Sequence, residues 1–121
     1  MTTITTEHQE QCAVCQYLDL NKYLYCAIPN ANALSALNRN IAMRVMAKLK
    51  KEGLKKGVSD LVIFEARKGF HALAIEMKRK KGSTVALEQK EWRDELLKRN
   101  YKAVICKGAD EAIKQVQEYM Q

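Results

Sequence analysis

The chain has one proline, Pro29, and two histidines, His8 and His71, among 121 residues. It contains no apolar run near the ~20 residues that a spanning helix needs, which excludes a transmembrane helix. The opening MTTITTEHQEQ has neither a basic stretch nor the apolar segment of a secretory signal, so a cytoplasmic protein is expected. Scarce histidine also narrows the metal chemistry. Cys12 and Cys15 form a C-x-x-C, but no second pair follows at finger spacing, and Cys26 and Cys106 stand alone in apolar runs. A structural zinc site is therefore not expected, and in a reducing compartment the thiols are expected in the core rather than in disulfides. Acidic residues are the remaining shortage. Fourteen Asp and Glu stand against 21 Lys and Arg, a formal charge of +7, which favours a polyanionic partner.

What is present reads as one domain over residues 1–121, with 47% hydrophobic content to fill a core and no internal repeat or low-complexity stretch. Residues 7–20 form a helical pattern with Cys12, Cys15 and Leu18 on one side, and residues 23–28 a short strand stopped by Pro29. Leu34, Leu37, Ile41, Val45 and Leu49 recur at helical spacing over 34–51, with Gly53 as the stop. Met43 and Met46 lie beside that stripe, where they either widen the core face or offer a dimer contact. Residues 61–64 are continuously apolar, as in a strand buried on both faces, and residues 72–78 alternate. Ser83 or Thr84 is positioned to cap a helix to about residue 99, with Val85, Trp92 and Leu96 inward. A strand at 101–106 and a helix at 109–120, with Ala112, Ile113, Val116 and Met120 inward, complete the chain. Strand, helix and strand after a hairpin require a parallel pairing, so a mixed α/β sheet flanked by helices is predicted.

The chemistry concentrates in residues 55–82. Glu76 and Lys78 are two apart in a strand and project from one face, together with Ala72 and Ala74, whose small side chains leave room for a ligand. Asp60 opens the preceding strand, and a short connection around Gly69 suits an antiparallel hairpin that brings both carboxylates together. Two carboxylates and an ammonium suit a hard cation and the charge that develops on a phosphate. Taken alone, the triplet also fits a solvated face with a weak ion pair. Basic residues flank both carboxylates: Lys48, Lys50, Lys51, Lys55 and Lys56 precede Asp60, and the run from Lys78 to Lys81 follows Glu76. Lys55, Lys56, Lys80 and Lys81 are the candidate nucleic-acid contacts.

The succession GVSDLVIF, GFHALAIEMKRKKGST, LEQKEW and NYKAVICKGADEAIKQVQEYM resembles the VRR-NUC domain family, a branch of the PD-(D/E)xK nuclease superfamily. The resemblance covers about residues 53–120, with weaker upstream matches at EHQEQ and AIPN, and looks like a whole small stand-alone protein of the phage and prophage type. Ser59 stands where the motif has proline, and ANALSALNRN departs from the Gly-rich, Arg-containing stretch common there. The resemblance implies a restriction-endonuclease-like core and hydrolysis of DNA phosphodiester bonds with Mg²⁺ or Mn²⁺. The metal would be held by Asp60, Glu76 and the backbone carbonyl of Met77. The family's E-x-x-x-Q spacing, Glu7 with Gln11, selects Glu7 over Glu10 as a further carboxylate. Lys78 would orient or deprotonate water, or stabilise the phosphate, and Gln89 would position water near the metal. His71 is either structural or phosphate-contacting. Relatives of this size suggest a homodimer acting on branched DNA, four-way junctions above all, in phage replication, repair or recombination. The competing reading is a non-catalytic basic DNA-binding module on the same fold.

Overall fold

Helix α1 (Glu7–Leu20) starts at a reciprocal cap. The Thr6 hydroxyl accepts from the Gln9 N–H at 3.1 Å, and the Gln9 side chain accepts from the Thr6 N–H at 2.9 Å. The computed structural model describes residues 4–29 and 34–121. After α1 come β1 (Tyr25–Ala27), α2 (Arg39–Lys51), β2 (Leu61–Ile63), β3 (Leu73–Lys78), α3 (Leu87–Lys98), β4 (Lys102–Lys107) and α4 (Ala109–Met120). The four strands form one sheet in the order β1-β2-β3-β4. The first two pairings are antiparallel, and the crossover through α3 makes β3 and β4 parallel. The predicted mixed α/β sheet is thus the observed one, and no helix among the described residues is long and apolar enough to cross a membrane.

β3 is buried along its whole length. Leu73, Ile75 and Met77 meet a cluster built from Val14 and Leu18 of α1 and Ala112, Val116 and Tyr119 of α4. The final helix keeps the predicted Ala112 and Val116 inside and half-buries Ile113 and Met120. It adds Tyr119, whose hydroxyl donates to the Glu65 carbonyl at 2.7 Å. A period reading of apolar residues passes over such an amphipathic tyrosine.

Four expectations change, one of them for the thiols: Cys106 is buried, but Cys12 and Cys26 are exposed at the surface and Cys15 is half-buried. Residues 61–64 are not buried on both faces, since Val62 is half-buried and Phe64 exposed. α2 begins at Arg39, capped by the Asn38 side chain, and has no buried residue. Ile41, placed on its inner stripe, is 46% exposed, while Val45 and Leu49 are only half-buried, so α2 rests lightly on the body. α3 starts at Leu87 rather than after Ser83 or Thr84. Its N-cap is Ala86, whose N–H donates to the Gln89 side chain at 3.0 Å, and Val85 precedes the helix. Asn30 of the AIPN segment and residues 31–33 of ANALSALNRN lie outside the described residues.

Candidate active site at one end of the sheet

Antiparallel pairing of Leu61 with Ile75 sets the start of β2 beside the end of β3, so Asp60, one residue before Leu61, falls opposite Glu76. The Met77 N–H donates to Asp60 Oδ2 at 2.7 Å and fixes that carboxylate. Lys78 projects from the same face as Glu76. All three are withdrawn from solvent, with Asp60 5%, Glu76 4% and Lys78 8% exposed. The hairpin therefore brings the predicted triplet together. Burial, then the contact with Asp60 and its charge, push the Glu76 carboxyl well above the usual carboxylate range, against the pull of Lys78.

Glu7 and Glu10 lie three apart on α1 but serve different places. Glu7 is half-buried, and its carboxyl is raised by burial and by Asp60 and lowered by Lys78 and Arg79, which sets it within the field of the carboxylate cluster. Glu10 is occupied elsewhere. It accepts from the Thr5 hydroxyl and from the Ala109 N–H at 2.5 Å, and lies 3.8 Å from Lys80, so its carboxyl is lowered. The N-cap of α4 is Gly108, which has no side chain; Glu10 supplies the missing acceptor and a negative charge at the helix start.

A cleft of about 450 Å³ opens on Glu76. Lys50, Lys55, Lys56 and Gly57 form one wall, and Ala86, Glu88 and Gln89 the other. Gly57 has φ +84°, and a Cβ there would sit 2.5 Å from the Glu88 backbone, so only glycine lets this loop close against α3. Gln89 lines the cleft as expected, but its side-chain oxygen is engaged with the Ala86 N–H. Lys80 is drawn towards Glu10, and Lys81 is exposed. His71 is not brought to the site. It lies beyond the far end of β3, ~16 Å along the strand from Glu76, edge-on to the Tyr101 ring at 5.2 Å.

Two further cations lie near the cluster: Arg79, from the basic run that follows Glu76, and Lys107, which sequence alone did not single out. Arg79 donates to the Gly82 carbonyl at 2.8 Å and acts on Glu7. Lys107 pairs in register with Lys78 and so shares its face, which laying the alternation of β4 against that of β3 reveals.

Among the described residues, no three His, Cys, Asp or Glu side chains form a ready metal cage. The donor chemistry nevertheless fits a hard dication. Two buried carboxylates face each other, one resisting ionisation, and positive charge between them relieves that opposition. The Met77 carbonyl leaves the strand on the same side as its N–H, towards Asp60. Glu7, whose carboxyl feels the Asp60 charge, would add a further oxygen, and Lys78, an ammonium, cannot ligate.

Residues 5–110 match the model of the VRR-NUC domain family. A solved structure titled "VRR_NUC domain protein" is similar with a TM-score of 0.79 and 30% sequence identity, over 98% of this chain and 90% of that one. Comparison with curated proteins returns no match. Sequence model, sheet order and structural likeness agree over nearly the whole chain, which therefore belongs to the VRR-NUC domain family and is a nuclease-type, DNA-processing domain.

Proposed function

We propose that this single domain is a metal-dependent endonuclease that hydrolyses DNA phosphodiester bonds, with Asp60, Glu76, the Met77 carbonyl and Glu7 holding Mg²⁺ or Mn²⁺. The observation that carries this reading is the opposition of two buried carboxylates, Asp60 and Glu76, beside a buried lysine. A phosphodiester resists water because its oxygens repel an incoming hydroxide and its alkoxide leaves poorly. The bound cation would supply positive charge at the phosphate and a water of lowered pKa. The chain's own groups do the rest. Met77 N–H holds Asp60 in place, and Glu7 extends the oxygen set from α1. Lys78, fixed by strand burial, presents its ammonium to the attacking water or to the charge growing on the phosphate. Gln89 borders the same cleft and orients water there, while Lys55 and Lys56 on its wall, with Lys80 and Lys81, meet neighbouring phosphates.

The substrate we infer is branched DNA, four-way junctions above all, in phage replication, repair or recombination. One site cuts one strand, so paired nicks require a two-fold homodimer. Digestion of plasmid, flap and four-way DNA with Mg²⁺ or Mn²⁺ tests this reading, with fastest cleavage of the four-way substrate expected. Equal rates on all three reduce it to a general endonuclease. If all three survive while gel shifts persist, a non-catalytic DNA-binding module replaces it. A light-scattering mass near 13.8 kDa in metal-containing, DNA-free buffer removes the dimer.

A further inference from the structure

We propose that the face of α2 beside the site is a groove for an unpaired DNA strand, such as a flap or a frayed arm at a branch, an inference that rests on the nuclease reading and not on the four-way preference. The cleft at Glu76 does not end at Lys50. A second hollow of about 500 Å³ shares Met46 and Lys50 with it and continues along α2 past Met43 to Arg39 and Leu34. Residues 39, 43, 46 and 50 are three or four apart and so share one helical face. On that face two thioethers lie between two cations, and Met43 is 61% exposed. From Arg39 to Lys50 the helix rises ~16 Å, long enough to run beside a short stretch of strand.

The chemistry identifies the occupant. α2 carries Arg39, Arg44, Lys48, Lys50 and Lys51 and no acidic residue. A second copy docked through this same face would set its own Arg39 and Lys50 against these two, so self-pairing is opposed by charge, whereas a phosphate backbone is attracted. Phosphates alone account for the lysines and arginines but not for exposed methionine. A duplex keeps its base faces stacked inside; an unpaired strand offers them to apolar side chains while its phosphates meet the cations. Continuity with Glu76 then places the end of this strand at the carboxylates.

The test uses the full-length Glu76→Gln protein, so that DNA is bound without being cut. Its affinities for a labelled blunt duplex and for the same duplex with a tail of about six thymidines at either end are compared by anisotropy across a salt series. A tail at one end is expected to raise affinity at least tenfold. Adding Arg39→Gln and Lys50→Gln should bring the tailed-to-blunt ratio to about one and flatten the salt slope by ~1.4, two single-strand phosphate contacts. Adding Met43→Ser instead should lower the ratio and leave the slope unchanged. Because these side chains are exposed, melting curves should match the parent and exclude misfolding. A tail without effect at both ends, or a ratio indifferent to the variants, overturns the groove. So does a double variant that changes only the light-scattering mass of the DNA-free protein, which would make α2 a self-association surface. Failure of the nuclease reading is separable: wild-type protein that cuts nothing while the tail ratio persists refutes catalysis and keeps the groove.

Discussion

Glu10 and Glu76 are almost equally buried, at 5% and 4% exposure, yet the fold moves their carboxyls in opposite directions. At the junction of α1 and α4, Glu10 meets a hydroxyl, a backbone N–H and a lysine, and its charge is supported from three sides. At the edge of β2 and β3, burial acts on Glu76 first, and Asp60 adds to it by contact and charge where Glu10 has donors that offset it. Burial alone therefore does not decide ionisation; the atoms that share the burial do. A carboxylate kept buried with supporting donors holds structure together. One kept buried against another carboxylate costs stability, and such a cost persists in a protein that gains a cation there.

The largest way to sharpen this contrast is activity. Glu76→Ala is expected to lower metal-dependent DNA cleavage by ~1,000-fold, about 4 kcal/mol of transition-state stabilisation, with DNA binding retained in gel shifts. Retained activity would break the site assignment. Lys78→Ala should be inactive as well but still bind metal; loss of metal binding there would make the triplet a structural ion pair.

Stability against pH separates the two glutamates next. Glu76 has a raised folded value, so in metal-free protein its cost is absent below the ordinary carboxylate value of ~4.3. The cost then grows by up to ~1.4 kcal/mol per pH unit as pH rises towards the folded value. Glu76→Gln should remove this slope and melt higher than wild type at pH 8. Glu10 has a lowered folded value, so its contribution is complete above the ordinary value and is lost as pH falls through the folded one. Glu10→Ala should cost about 2 kcal/mol at pH 7, with the Ala109 N–H left unpaired. Thermal melting from pH 3 to 9 checks both, and a shared direction for the two variants would break the comparison. The smallest effect concerns the rim: neutralising Lys80 and Lys81 should flatten the salt dependence of DNA binding by up to ~2 in log–log slope, and neutralising Lys55 and Lys56 should do likewise. An unchanged slope would put the DNA track elsewhere.

The buried sheet was legible from sequence because its periodicity leaves little choice. A residue at Glu76 must share a face with Lys78, and a hairpin that pairs Leu61 with Ile75 must set Asp60 opposite Glu76. Period alone could not separate Glu7 from Glu10. Both lie on α1 with the spacing of one helical face, and what divides them is α4, nearly a hundred residues later, whose glycine cap needs an acceptor. α2 misled for a related reason: its apolar spacing is real, but periodicity reports which face is apolar and not how much body lies beneath it. The start of α3 was missed because Gln89 caps it from inside the helix, a role that Ser83 and Thr84 promised more plainly.

Direct titration with Mn²⁺ tests the central claim, that the opposed carboxylates are kept for a cation. Wild-type protein and Glu10→Gln should each bind one or two Mn²⁺ ions, seen by calorimetry and by loss of the free-ion paramagnetic signal, whereas Glu76→Ala should lose that binding. Equal Mn²⁺ binding by wild type and Glu76→Ala, or none by wild type at millimolar metal, would contradict the account.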